Sequence, residues 1–174
     1  MKWLPLFLVT ILAAGCGQKP PPAIDIFTAA FMGSVGLLKQ HVDAGTDLEL
    51  RDTLGGSSPL GITAVFGHVD AARYLIESGA NLEAKNSDGV TPLIVAAFFG
   101  HTDIVRLLIH SGADLTAINP DGNTALDTVA GEWTQELEQL YLFIGEALKI
   151  PLNIEKIKLA RPGIAEALSA AMEE

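Results

Sequence analysis

The 174-residue sequence predicts an all-α chain: stacked helix–turn–helix pairs joined by turn-rich loops and closed by a helical C-terminal cap. Three observations carry that prediction. The sequence repeats at a period of 33 residues, helix start and stop signals recur at the same places in each copy, and the apolar residues between them follow helical spacing. GHVDAARYLIESGANLEA at 67–84 and GHTDIVRLLIHSGADLTA at 100–117 share Gly, His, Asp, Arg, Leu, Ile, Ser, Gly, Ala, Leu and Ala in register. An earlier copy at 25–49 matches at an offset of 34, the extra residue falling in the loop LRDTLGGSS.

Each element follows from its residues. Ser58-Pro59 and Thr91-Pro92 set a hydroxyl cap before a proline whose missing N–H is harmless in the first helical turn, so first helices start there. Gly67 and Gly100 supply the left-handed turn that ends them, and Gly79 and Gly112 end the second helices. Asp88-Gly89 and Asp121-Gly122 suit turns between repeats. Ile104, Val105, Leu108 and Ile109 share one helix face, and Ala96 and Ala97 allow first helices to approach closely. No pair can bury both faces alone, so the pairs stack into a solenoid. Toward the C-terminus, Leu137, Leu140, Tyr141, Ile144 and Leu148 extend helical spacing beyond a normal second helix until Ile150-Pro151. Two amphipathic segments, NIEKIKLA and GIAEALSAAM, follow on either side of Arg161-Pro162-Gly163 and are expected to cap the last repeat's apolar face. A partner-binding helix is the other role open to them.

These residues resemble the ankyrin repeat, with its T-P-L-H-x-A-A, G-H and L-L-x-x-G-A-D elements. DGVTPLIVAAFFGHTDIVRLLIHSGADL is the closest copy, and about four repeats span 24–148, the two central ones well formed. The motif histidine is replaced by Phe27, Gly61, Ile94 and Asp127, and Gly100 becomes Trp133 in the fourth copy. The resemblance implies an ankyrin-repeat solenoid with a concave groove, and it assigns His68 and His101 to hydrogen bonds between turns.

The N-terminus predicts export. Met1 and Lys2 precede twelve uncharged residues, Trp3 to Ala14, too few to cross the ~30 Å of a bilayer core. Small residues Ala13-Ala14-Gly15 lead to Cys16, the one cysteine of the chain. The tetrapeptide ending in Cys16 resembles the lipobox of bacterial lipoproteins, with Ala13 where leucine is commoner. That resemblance implies a signal peptide at 1–15, an acyl lipid of the palmitate type on Cys16, and anchorage to a bacterial membrane. Gly17, standing where an inner-membrane retention aspartate would be, implies the outer membrane, periplasmic side. A tether at 16–23, with three consecutive prolines, extends about 3.1 Å per residue and keeps the folded part near the membrane. The alternatives are an ordinary secretory signal and a cytoplasm-facing adaptor with an uncleaved anchor. With one cysteine no intramolecular disulfide forms, so packing must hold the fold.

The chemistry of catalysis is sparse. Eleven Lys and Arg against 21 Asp and Glu give a net charge of −10, with no basic stripe, which argues against nucleic-acid partners. His41, His68, His101 and His110 show neither the spacing nor the cysteine company of a zinc site. Ser57 and Ser58 lack the nucleophile-elbow pattern, and GGSSPLG lacks the lysine of a phosphate loop. No cofactor or small-molecule substrate is expected. An enzyme would have to place an unrecognised site in the cap at 149–174, where Ser169 is the one hydroxyl side chain.

What remains is a surface for a protein partner. Met32, Phe66 and Phe99 recur at one repeat position, which the ankyrin resemblance puts on the groove, and Phe31, Val65 and Phe98 occupy the adjacent variable place. Both packing between repeats and partner contact are compatible with that spacing. The loop tips differ between copies: Arg51, Thr53 and Leu54, then Lys85 and Asn86, then Ile118 and Asn119. The expected function is a membrane-tethered, non-enzymatic binding module that uses the groove and these tips.

Overall fold

A computed structural model describes residue 20 and residues 22–173; among them are nine helices and no strand. Residues 1–15, Cys16 and most of the tether lie outside the described residues. Three helix–turn–helix pairs come first: α1 (Ile26–Phe31) with α2 (Val35–Asp43), α3 (Pro59–Phe66) with α4 (Val69–Glu77), and α5 (Pro92–Phe98) with α6 (Thr102–His110). They are followed by α7 (Ala125–Ala130), α8 (Gln135–Leu148) and α9 (Ile154–Glu173).

Side-chain caps begin the first helices. Ser58 accepts from the Gly61 N–H at 3.1 Å, Thr91 from Ile94 at 3.4 Å, and Thr124 from Asp127 at 3.2 Å while the Asp127 carboxylate accepts in return from the Thr124 N–H. In the first repeat the cap is Asp25, accepting from Thr28 at 2.9 Å. The 34-residue register would put it at Ile24, so α1 starts one residue later than the repeat pattern predicts. An apolar residue cannot cap, and the next polar residue does.

Gly33, Gly67 and Gly100 end the first three of these helices with φ of 64°, 75° and 72°. Two constraints require glycine at Gly33 and Gly67: the left-handed backbone, and space. A Cβ on Gly33 would stand 2.6 Å from the His68 ring, and one on Gly67 would stand 2.6 Å from His101. Each imidazole thus packs on the preceding repeat's turn, and its Nε2–H donates to a carbonyl there: His68 to Phe31 at 2.8 Å, His101 to Val65 at 3.0 Å. His41 does the same to Ile24 at 2.8 Å. These bonds are the inter-turn role that the resemblance assigned to His68 and His101.

Helices α1, α3, α5 and α7 pack one on the next as an inner row, and α2, α4, α6 and α9 as an outer row. The core lies between the rows: Leu38, Leu60, Leu75, Leu93, Ile104, Val105 and Leu108 are all buried, with Ala64, Ala96 and Ala97 allowing the close approach.

The fourth pair departs from the sequence expectation in two ways. The residues Leu137 to Leu148 were expected to prolong a second helix; they form α8, whose packing lies elsewhere, and α9 stands beside α7 and α6 as the second helix of the fourth pair. The physical reason is Trp133. It occupies the place of Gly100, a bulky residue resists positive φ, and Gly131 ends α7 in extended conformation with φ −70° and ψ 160°. The chain therefore leaves the repeat path and returns only at Ile154. The α9 backbone fills the slot beside Gly100 that histidine rings fill in earlier repeats, Ile157 Cα lying 3.0 Å from where a Gly100 Cβ would be.

The second departure is that α9 is one helix, not two segments broken at Arg161-Pro162-Gly163. Proline inside a helix costs about 3 kcal/mol. Ile157, Ile164 and Leu168, all buried, offset it at about 1.5–3 kcal/mol each. Buried Arg161 adds hydrogen bonds to the carbonyls of Thr128 at 2.9 Å and Gly131 at 3.2 Å.

Candidate functional site

The inner row and the loop tips make the concave side, and α8 leans over it. Together they border a cavity of about 740 Å³ that is open to solvent along one side. Its floor is apolar, contributed by Phe27 and Phe31 of α1, Ile62, Val65 and Phe66 of α3, and Ile94, Val95 and Phe98 of α5, with Phe99 just beyond. Along this floor Phe31 meets Phe66 edge to face at 4.7 Å, and Phe98 meets Phe99 at 5.1 Å. Ile144, Ala147 and Leu148 of α8, with Ile150, form the facing wall. Among the described residues, Asp52 and Asp88 are the charged residues of the lining, and no lysine, arginine or histidine joins them.

Helix α8 is fixed at one place. Tyr141, with no solvent exposure, stacks on Phe98 at 4.4 Å and on Trp133 at 5.3 Å, and its hydroxyl donates to the Phe98 carbonyl at 2.7 Å. Burial pushes the Tyr141 phenol above its ordinary pKa, opposed by the Arg161 guanidinium. That guanidinium lies 5.7 Å from the Trp133 ring centre, and the Trp133 indole N–H donates to Glu138 at 2.9 Å. Elsewhere α8 is lightly held: Tyr141 is its one buried residue, and Leu140, Leu142 and Phe143 are exposed, Phe143 at 69%. From Leu140 to Ile144 the helix is apolar on every side, and such a turn is ordinarily buried all round. This one is not.

The sequence-predicted residues divide. Phe66, Phe99, Leu54, Asn86 and Asn119 line the cavity, Leu54 standing 98% exposed at its rim. Met32 does not; it is exposed outside the lining, and Phe31 takes the groove position that Met32 was expected to hold. Phe99 is nearly buried, so packing is the larger part of its role. Arg51, Thr53, Lys85 and Ile118 are exposed away from the lining, and the Lys85 ammonium donates to the Ile118 carbonyl at 3.2 Å, linking neighbouring loops.

Asn86 and Asn119 are turn-holders as well. Asn86 Oδ1 accepts from the Asp88 and Val90 N–H groups at 3.0 and 2.9 Å, and Asn119 Oδ1 from Asp121 and Asn123 at 3.0 and 2.9 Å. Asp52 does this in the first loop, accepting from Leu54, Gly55 and Ser57 at 2.7, 2.8 and 2.6 Å. The wall residues Ile144, Ala147, Leu148 and Ile150 went unrecognised as site residues. For Ile144 a signal was present, a stretch without charge from Gln139 to Gly145 that no repeat position accounts for; Ala147, Leu148 and Ile150 lie beyond it among Glu146 and Lys149.

Among the described residues no group of three or more His, Cys, Asp or Glu is placed to hold a metal ion, and no helix is long and apolar enough to cross a membrane.

Comparison with known proteins agrees with this architecture. Residues 26–119 match the family described as ankyrin repeats (3 copies), and residues 95–144 the one described as ankyrin repeats (many copies). The chain is 37% identical over 70 residues to protein phosphatase 1 regulatory subunit 27 of Homo sapiens, and equally to that of Mus musculus. The shared stretch covers 40% of this chain and 45% of each relative, so it spans less than half of their length. With helix pairs stacked in two rows and the repeat pattern matched over more than half of the sequence, the chain belongs to the ankyrin-repeat family.

Proposed function

We propose that this protein is a non-enzymatic interaction module of the bacterial cell envelope, tethered to the membrane by lipid on Cys16, which holds a protein partner in its concave groove. The observation that carries the groove is the apolar floor from Phe27 to Phe98, with Phe31 exposed and Phe66 and Phe98 half-buried, on a repeat scaffold whose turns are locked by His68 and His101. Rigid aromatic groups lose little entropy on binding and supply large contact area, so a few of them dominate an interface. Similarity to a regulatory subunit supports binding over chemistry. The tether is supported by the short apolar run Trp3 to Ala14 and the small residues before Cys16. Held near a membrane, the module would meet partners at high local concentration, so modest affinity suffices.

Recovery of bound proteins from membrane extract, with mass spectrometry of both bait and prey, tests partner and tether together. Phe31→Ala with Phe66→Ala should weaken capture by about 1–3 kcal/mol per ring, while Glu77→Ala, exposed on α4, should leave it unchanged. Phe31 and Phe66 serve this test better than Phe99, whose truncation would also cost stability. The same partners held at the same affinity by a folded double variant would remove the groove from the proposal. An intact mass that retains residues 1–15 would remove the lipid.

A further inference from the structure

We propose that the cavity between the inner helix row and α8 is a binding site for a single unbranched hydrocarbon chain bearing an uncharged polar end. This goes beyond the proposed function, because it concerns a small molecule and stands whether or not a protein partner uses the same face.

Shape is the first argument. A cavity of about 740 Å³, lined mainly by aliphatic and aromatic side chains with a few polar groups, has the size and character of a small-molecule site. Stacked helices lie 8–10 Å apart, so a floor crossing three repeats is roughly 20 Å long. A long apolar groove running under α8 suits an extended chain.

Charge is the second argument. Among the described residues the charged lining groups are Asp52 and Asp88, and the lining offers no cation to an anionic end group. Asp52 already accepts three backbone hydrogen bonds, which fix its side chain in place. A fatty-acid carboxylate would be repelled and left without a partner in an apolar site. A hydroxyl end can donate to Asp88 or exchange hydrogen bonds with Ser57, Asn86 or Thr28. The third argument is α8 itself, whose Ile144, Ala147 and Leu148 are turned toward the cavity and would gain apolar burial from an occupant.

The test uses the full chain carrying Cys16→Ser, which removes any lipid at that residue, purified without detergent. The uncharged fluorophore N-phenyl-1-naphthylamine should bind saturably, one per chain. Hexadecan-1-ol should displace it at least 10-fold more effectively than palmitate. Ala147→Trp, at an exposed position on the wall, fills the site without touching the core and should weaken the probe at least 10-fold. Leu142→Trp, the same addition on an exposed α8 residue outside the lining, should leave it unchanged. Absence of saturable binding, equal displacement by palmitate, or equal loss in the two tryptophan variants would each overturn the proposal.

Discussion

Leu108 and Lys85 show how unequal single residues are in this fold. Leu108 is fully buried between the rows, so Leu108→Ala removes apolar contacts and leaves a cavity, an expected loss of about 2–5 kcal/mol. Lys85 is exposed and holds one loop-to-loop hydrogen bond; Lys85→Ala should stay within roughly 0.5 kcal/mol. Urea midpoints of the two variants check this directly. His101 carries a pH signature. Its packing against Gly67 desolvates the ring and lowers its pKa, with a smaller opposing contribution from the hydrogen bond to Val65. A folded-state pKa below the unfolded value means that the unfolded chain binds the extra proton more readily. The stability linked to His101 is therefore complete above about 6.5 and is lost as pH falls through its folded-state value. Relative to His101→Gln, the wild type should lose stability in urea titrations as the pH falls below about 6.5. The Gly-His pairs were legible in the sequence because they recur; the reason for them, a ring packed where a Cβ would be, lies in contacts between repeats.

At the scale of elements, α8 is the anomaly. Its helical spacing was evident from Leu137 to Leu148, yet spacing reports that a helix forms and not what it packs against. Trp133 in place of the turn glycine marked the point of divergence. The hydroxyl of Tyr141 holds α8 to α5, so Tyr141→Phe removes one hydrogen bond, worth about 1 kcal/mol. Local opening of α8 should become more frequent while the repeats are unaffected. Hydrogen exchange is the measurement: amides of α8 should exchange faster in the variant, by roughly the five-fold that 1 kcal/mol implies, with those of α5 and α6 unchanged. Uniform acceleration across the chain would mean that α8 opens only with global unfolding. The break that the sequence suggested at Pro162 failed to appear for the opposite reason: buried residues on both sides of the proline hold α9 together.

For the molecule as a whole, α9 completes the outer row. Removing residues 151–174 would uncover α6 and α7 and lose the burial of Ile157, Ile164 and Leu168, about 5–9 kcal/mol at 1.5–3 kcal/mol each. Domains of this size are stable by about 5–15 kcal/mol. The truncated chain should accordingly be largely unfolded or aggregated, with weak helical circular dichroism and no cooperative urea transition. A cooperative transition at the wild-type midpoint would show that α9 is dispensable.

The sequence by itself determined the repeats, because their signals are local: a cap, a proline, a glycine turn and an apolar face all lie within one 33-residue frame and recur in the next. It also marked the apolar pairs Phe31-Met32, Val65-Phe66 and Phe98-Phe99 at the ends of the inner helices, since they recur at one place in the repeat. Only the tertiary structure decided that Phe31 and not Met32 lines the groove, that α9 and not α8 completes the fourth pair, and that α8 walls the cavity. Those outcomes are set by long-range competition for buried surface among α6, α7, α8 and α9. No window of sequence as short as a repeat contains all the competitors.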